Sequence, residues 1–223
     1  MVDMLQIIKS RQSVRAFLKK PVEQSLIHAI LEAARFAPSG ANTQPWQVVV
    51  VTQTYIQQIG DAIIAARNAN VKENPDYHYY PNEWYEPYKS RRKACGLALY
   101  NSLNITMQDP EQRKLQWYRN YTFFGAPVGL LFFLDLKLEK GSWVDMGMFI
   151  QNVMLAAKSV GLDTCPQAAL AEYPDIVRKI VEVPKEKALL CGMALGYADY
   201  QHPVNQYRTT RGSVETFTQF RGF

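Results

Sequence analysis

Apolar side chains recur at three-to-four spacing in some stretches of the chain and run unbroken in others, which predicts helices interleaved with buried strands. Met4, Leu5, Ile7 and Ile8 follow Asp3, a cap for a short helix whose end carries Lys9 and Arg11, as the negative pole of the dipole favours. Leu26, Ile27, Ile30, Leu31 and Ala34 form the stripe of a second helix, with Pro21 in its first turn and Pro38 ending the pattern. Val48 to Val51 is β-branched and predicts a strand buried on both faces. Helical spacing resumes at Ile56, Ile59 and Ile63, and again from Arg91 to Leu103. Asp109, Pro110 and Gln112 supply a cap, a first-turn proline and a capping-box amide for the next helix. Val128 to Leu134 predicts a second buried strand. Met146, Phe149, Ile150, Val153, Met154 and Ala157 form the strongest helical stripe, stopped by Gly161, and Leu189 to Leu195 predicts a third strand.

Two stretches break the pattern. From Asn74 to Tyr88 three prolines punctuate five tyrosines and Trp84, the vocabulary of a long loop. A loop of that length covers something: either it is a lid over a binding site, taken here as residues 74–93, or a packed surface flap. The tail, residues 205–223, is polar, basic and aromatic without a period, so it has no core of its own and must dock elsewhere. No repeat or low-complexity tract appears, and residues 1–223 read as a single mixed α and β domain.

Composition narrows the class. At 223 residues, 48% hydrophobic and 20% charged, the chain is long enough for a real core and unlike disordered or fibrous chains. Three widely separated cysteines encode neither a disulfide framework nor a zinc knuckle, and fit reduced thiols in the cytoplasm. The apolar run Ala126 to Leu134 is too short to span a bilayer, and the N-terminus lacks a secretory apolar region. A net charge of +5 brings nucleic acid or an anionic ligand into consideration. The basic residues are not gathered into one stripe, so a single-strand-binding module that stacks bases on the tyrosines is the weaker reading, and a scaffold role weaker still.

Side-chain catalysis has little support. His28, His78 and His202 share no metal-ligand spacing, His28 reads as a structural histidine beside its helix stripe, and no nucleophile elbow, dinucleotide fingerprint or P-loop occurs. Chemistry must therefore come from a cofactor. In Arg11-Gln12-Ser13-Val14-Arg15, extended backbone would aim Arg11, Ser13 and Arg15 to one side, offering paired donors to a phosphate or a polar heterocycle edge. Ala37 to Trp46 packs prolines, a glycine and the amides Asn42 and Gln44 into one helix-to-strand connection, more than a connector needs. Tyr207-Arg208-Thr209-Thr210-Arg211 reads either as solvated surface or as an anion clamp.

Taken in order, R-Q-S-V-R-A-F, A-P-S-G-A-N-T-Q-P-W-Q, G-A-P, G-L-D-T-C-P-Q-A-A, G-M-A-L-G-Y and an arginine-bearing tail resemble the FMN-dependent nitroreductase family over nearly the whole chain. The aromatic segment resembles the nitrobenzene and nitrobenzoate reductase branch, while iodotyrosine deiodinases share the frame. The resemblance implies an α+β, helix-rich sandwich around a central mixed sheet, in a homodimer whose tails wrap the partner and whose two clefts hold FMN. Arg11, Gln12, Ser13 and Arg15 would then hold the ribityl chain, phosphate and pyrimidine edge. Pro38, Ser39, Gly40 and Asn42 would arrive from the second subunit. Pro166, Gln167, Ala168 and Ala169 would line the flavin, with the Ala168 N–H toward N5. Arg211 would bind the phosphate, with Arg208 beside it and Lys9 and Arg119 as extra cations. Arg15 would stabilise negative charge on the reduced ring. The implied activity is ping-pong transfer of hydride from NAD(P)H to nitroaromatic compounds, with Tyr80, Trp84, Tyr85 and Tyr88 stacking on a small aromatic substrate. The alternative on the same scaffold is a reductive dehalogenase or a quinone/enone reductase; a dehalogenase lid would use Glu86, Tyr88 and Lys89 to grip a zwitterion. No metal, nucleic-acid or membrane partner is implied.

Overall fold

The structure is a computed structural model that describes residues 3–223. Its elements in chain order are α1 (Met4–Ser10), α2 (Gln24–Ala34), β1 (Gln47–Thr52), α3 (Gln53–Asn68), α4 (Tyr88–Ser102), α5 (Pro110–Tyr118), β2 (Val128–Asp135), α6 (Lys140–Ser159), β3 (Asp163–Gln167), α7 (Pro174–Val181) and β4 (Lys187–Gly196). The strands form one antiparallel sheet in the order β1-β2-β4-β3. Every residue from Val128 to Leu134 and from Ala188 to Gly196 is buried, as central strands covered on both faces require. The stripes of α2 and α6 cover one face together with Trp46, whose indole stacks on Phe149 at 4.9 Å. The other face carries α3, α7, Phe123, Phe124 and the turn Ala168–Glu172. Among the described residues no helix is long and apolar enough to cross a membrane.

Two glycines bring that turn onto the sheet. A Cβ on Gly192 would meet Leu170 Cδ1 at 2.1 Å, and one on Gly129 would meet the Phe123 ring at 2.5 Å. Bare backbone on neighbouring strands lets Leu170 and Phe123 lie against the sheet, which holds the Ala168 turn close to it.

Several expectations are corrected. β1 is not buried on both faces: it pairs only with β2, and of its residues only Val51 is buried. The mixed sheet reduces to four antiparallel strands plus one parallel bridge, Ser13 to Thr164. α2 begins at Gln24, after Glu23, so Pro21 lies ahead of its first turn. α4 starts at Tyr88, one turn before the expected Arg91. The capping box at α5 does not form, because the Asp109 carboxylate accepts from Thr106 N–H (2.8 Å) and Oγ1–H (2.6 Å) in the preceding turn. β3 and α7 were not expected: β3 is short and contains Pro166 and three polar residues, and α7 has only eight residues.

Candidate active site

The extended segment after α1 runs along the outer edge of β3, where Ser13 bridges Thr164 and Val14 N–H donates to Thr164 O at 3.0 Å. Val14 (0% exposed) and Ala16 (4%) point into the core. The alternation expected from the sequence therefore turns Arg11, Ser13 and Arg15 outward together. The chain after β4 then returns to this edge. Arg208 donates to the carbonyls of Lys9 (2.7 Å) and Ser10 (3.1 Å) and to Gln12 Oε1 (2.8 Å), and Tyr207 OH lies 3.2 Å from Arg15 Nη1.

Between these two stretches opens a cavity of about 540 Å³. Its walls include Lys9, Arg11, Arg15, Arg208 and Arg211, five cations, and no aspartate or glutamate. Burial holds the Arg11 pKa below its ordinary value, helped by repulsion from Arg211 and Arg208. An anion placed there relieves that repulsion and gains charge-assisted hydrogen bonds. Arg211 bonds only to Thr209 and Thr210 beside it, so its guanidinium serves no long-range fastening. Beneath Arg15, 5.9 Å from its guanidinium carbon, lies the ring of Phe124. Phe123, Phe124 and Gly125 all have positive φ (50°, 55° and 80°), a run that costs about 1–3 kcal/mol per non-glycine residue and that tertiary contacts must hold.

Other residues named from the sequence fall elsewhere. Pro38, Ser39, Gly40 and Asn42 do not line this cavity in the same chain. Their loop is ordered from within: Gly40 N–H donates to Asp145 Oδ2 (3.1 Å), Gln44 N–H to Ser39 Oγ (3.0 Å), and Ala41, Asn42 and Gln44 are left-handed. Gln167 and Ala169 face the core, at 2% and 5% exposed, and Gln167 Nε2 donates to Asn120 O at 2.6 Å. Pro166 and Ala168 are half-buried, and Ala168 opens a 3-10 turn whose first N–H groups have no partner within the turn. Arg119 is not a cavity cation: it donates to Phe124 O (3.3 Å), and burial lowers its pKa. Lys9 is one. Residues 205–208 dock on their own chain, Asn205 being 5% exposed and Arg208 bonding Gln12.

The aromatic segment is pinned at its base. Asn74 N–H donates to Glu172 O (3.1 Å), Asp76 pairs with Arg178 (2.6 Å), and Tyr77 packs edge-on against Trp143 at 4.7 Å. Beyond it, Tyr80 and Trp84 (5.4 Å) and Tyr85 and Tyr88 (5.2 Å) contact each other, and Arg92 covers Trp84 at 5.1 Å. None of these aromatics lines the cavity, although α4, which begins at Tyr88, brings Cys95 to its wall about 10 Å further along the helix.

Sequence reasoning missed Gln151, Val204, Ile8 and Cys95 as cavity residues. Gln151 had a signal, a polar residue within the strongest apolar stripe; Cys95 had none. Burial raises the pKa of Cys165 and pushes that of Cys191 up to about 12, whereas Cys95 is exposed. Thiol titration of the native protein at pH 8 is therefore expected to count one reactive cysteine, rising to three on denaturation. A ligand filling the cavity should slow the single native reaction, and two fast native thiols would contradict the arrangement.

A model of the nitroreductase family matches residues 8–197, and the chain belongs to that family. It is 38% identical to the 4-nitrobenzoate reductase of Pseudomonas putida over 97% of this chain and 95% of the relative. To the nitrobenzene nitroreductase of Ectopseudomonas oleovorans it is 38% identical over 96% of this chain and 95% of the relative. The crystal structure of the FMN and NADPH-dependent nitroreductase NfnB from sphigopyxis sp. strain HMH superposes with a TM-score of 0.95 at 38% identity, covering all of both chains. The FMN-dependent NfnB from Mycobacterium smegmatis, in complex with NADPH, gives 0.92 at 32% over 97% of each chain. The α+β nitroreductase fold expected from the ordered motifs is the fold observed.

Proposed function

We propose that this protein is an FMN-dependent oxidoreductase that passes electrons from NAD(P)H to nitroaromatic compounds by a ping-pong mechanism. The observation that carries the reading is the cavity with five cations and no acid, built by the segments that hold the cofactor in the family resembled. The donor set fits a phosphate-bearing ligand, since Arg11, Arg15, Arg208 and Arg211 offer guanidinium forks to phosphate oxygens or to the polar edge of a heterocycle. Bound FMN supplies hydride acceptance and donation at its N5 atom.

The chain's own residues then divide the work. Arg211, Arg208 and Lys9 hold the phosphate end. Arg15, fixed by its neighbours, places positive charge where reduction puts negative charge. The Ala168 N–H donates a hydrogen bond to the ring, and no side-chain base is needed. Pro38, Ser39, Gly40 and Asn42 come from a second copy, because their pre-ordered loop does not reach the cavity of its own chain.

A homodimer is supported by three surfaces that this chain leaves open. α4 buries no residue, β1 presents an unpaired edge, and residues 209–223 extend outward with Phe217 and Phe220 at 74% and 68% exposed. Trp84, Tyr85 and Tyr88, in the segment that leads into α4, would close over a small aromatic substrate. Three free thiols suit a cytoplasmic protein.

Purified protein is expected to be yellow, to elute at twice its 25.5 kDa chain mass, and to oxidise NAD(P)H anaerobically with 4-nitrobenzoate. A colourless monomer that ignores added FMN would overturn the reading. Consumption of 3-iodotyrosine but not of nitroarenes would keep the cofactor and replace the substrate.

A further inference from the structure

One neutral side chain joins the two halves of the cationic cavity. Asn205 is 5% exposed, and its Oδ1 accepts the Arg15 N–H at 2.8 Å. Its Nδ2 donates to the carbonyls of Ala16 and Asp199, both at 2.8 Å, and its backbone carbonyl accepts from Gln12 Nε2 at 3.1 Å. With both amide hydrogens and the amide oxygen engaged inside the chain, Asn205 is occupied by the protein's own backbone and does not line the cavity. The bonds converge on the segment whose alternation sends Arg15 outward and Val14 and Ala16 inward. A slip of one residue there would bury guanidinium and expose apolar side chains. Five cations crowd the same cavity, so their repulsion favours splaying the two stretches apart unless something fastens them.

We propose that Asn205 is a positioning residue: it locks the register of Gln12 and Arg15 against the tail arginines, and flavin affinity depends on that lock although Asn205 touches no ligand. The proposal rests on the reading that the cavity holds FMN. The mechanism is backbone placement. The Arg15 N–H and the Ala16 carbonyl belong to consecutive residues, and gripping both from one amide fixes the backbone of that dipeptide.

A double-mutant cycle on FMN binding tests it. Asn205→Ala is expected to raise the FMN dissociation constant about tenfold in the otherwise native protein, and no more than about twofold when Arg15→Ala is already present. Equal losses in both backgrounds, which a purely structural role would produce, overturn the proposal. Asn152→Ala, which removes a side-chain bond to Ala34 O elsewhere on α6, should leave FMN affinity unchanged; a similar loss there also overturns it. Should Asn205→Ala fail to fold, amide exchange of the ligand-free native protein reads the lock directly: a slow Arg15 N–H supports it and a fast one sinks it. Native protein that binds no FMN overturns the cofactor reading and with it the claimed dependence, whereas the exchange result still reads the register.

Discussion

The doubly substituted protein Arg208→Ala/Arg211→Ala is expected to lose FMN while keeping its fold. Both guanidiniums line the cavity, and their bonds run to exposed backbone and side-chain oxygens, not into the core. Hydrogen bonds to a charged group contribute about 1.5–3 kcal/mol each, so removing two should raise the dissociation constant about 10²- to 10⁴-fold. The single variants should differ in kind. Arg211 engages only its immediate neighbours, so its loss should leave the apo protein unchanged. Arg208 also fastens Lys9, Ser10 and Gln12, so its loss should additionally loosen the start of the chain. Titration of apo protein with FMN, with circular dichroism of each variant, checks both halves. Retention of native affinity by the double variant would move the phosphate elsewhere.

The second large effect concerns stability. The Arg178 side chain is 7% exposed and pairs with Asp76, 10% exposed, at 2.6 Å, while donating to Lys187 O at 3.0 Å. Asp76 also accepts the Leu189 N–H at 2.9 Å. This pair ties α7 and β4 to the base of the aromatic segment. Arg178→Ala leaves a carboxylate buried without its counter-ion, which costs about 3–5 kcal/mol. For a chain of this size that lowers the melting temperature by about 6–20 °C. Because neither residue lines the cavity, FMN affinity at low temperature should hold. Replacing both partners by apolar residues of similar volume should recover most of the loss, since the penalty lies in the orphaned charge. Thermal unfolding of the parent and the two variants decides it; an Arg178→Ala protein as stable as the parent would show the pair to be dispensable.

Much of the architecture was legible because it is carried by local periodicity. The stripes of α2 and α6 and the runs of β2 and β4 each announce themselves within about a dozen residues, and each occupies the core as expected. β3 was invisible for the converse reason. D-T-C-P-Q has little strand propensity, and it is a strand because β4 on one side and the Ser13 segment on the other supply its partners. The N-terminal cations could be read as one face, since alternation is a property of extended backbone. That Gln167 turns inward could not, because it depends on Asn120, 47 residues away in the chain. The same holds for Arg119, whose charge suggested a ligand contact and whose guanidinium instead holds the carbonyl of a left-handed phenylalanine.

The order of its short motifs was enough to establish the family, the fold class and the cationic segments, because these rest on residue type and near-neighbour spacing. Only the folded chain decided that residues 11–15 and 207–211 face one another across a cavity and that residues 38–42 stay outside it. Contacts between positions almost two hundred residues apart, such as Arg15 with Asn205, are fixed by where the sheet places its edges. No local pattern of side chains encodes that placement.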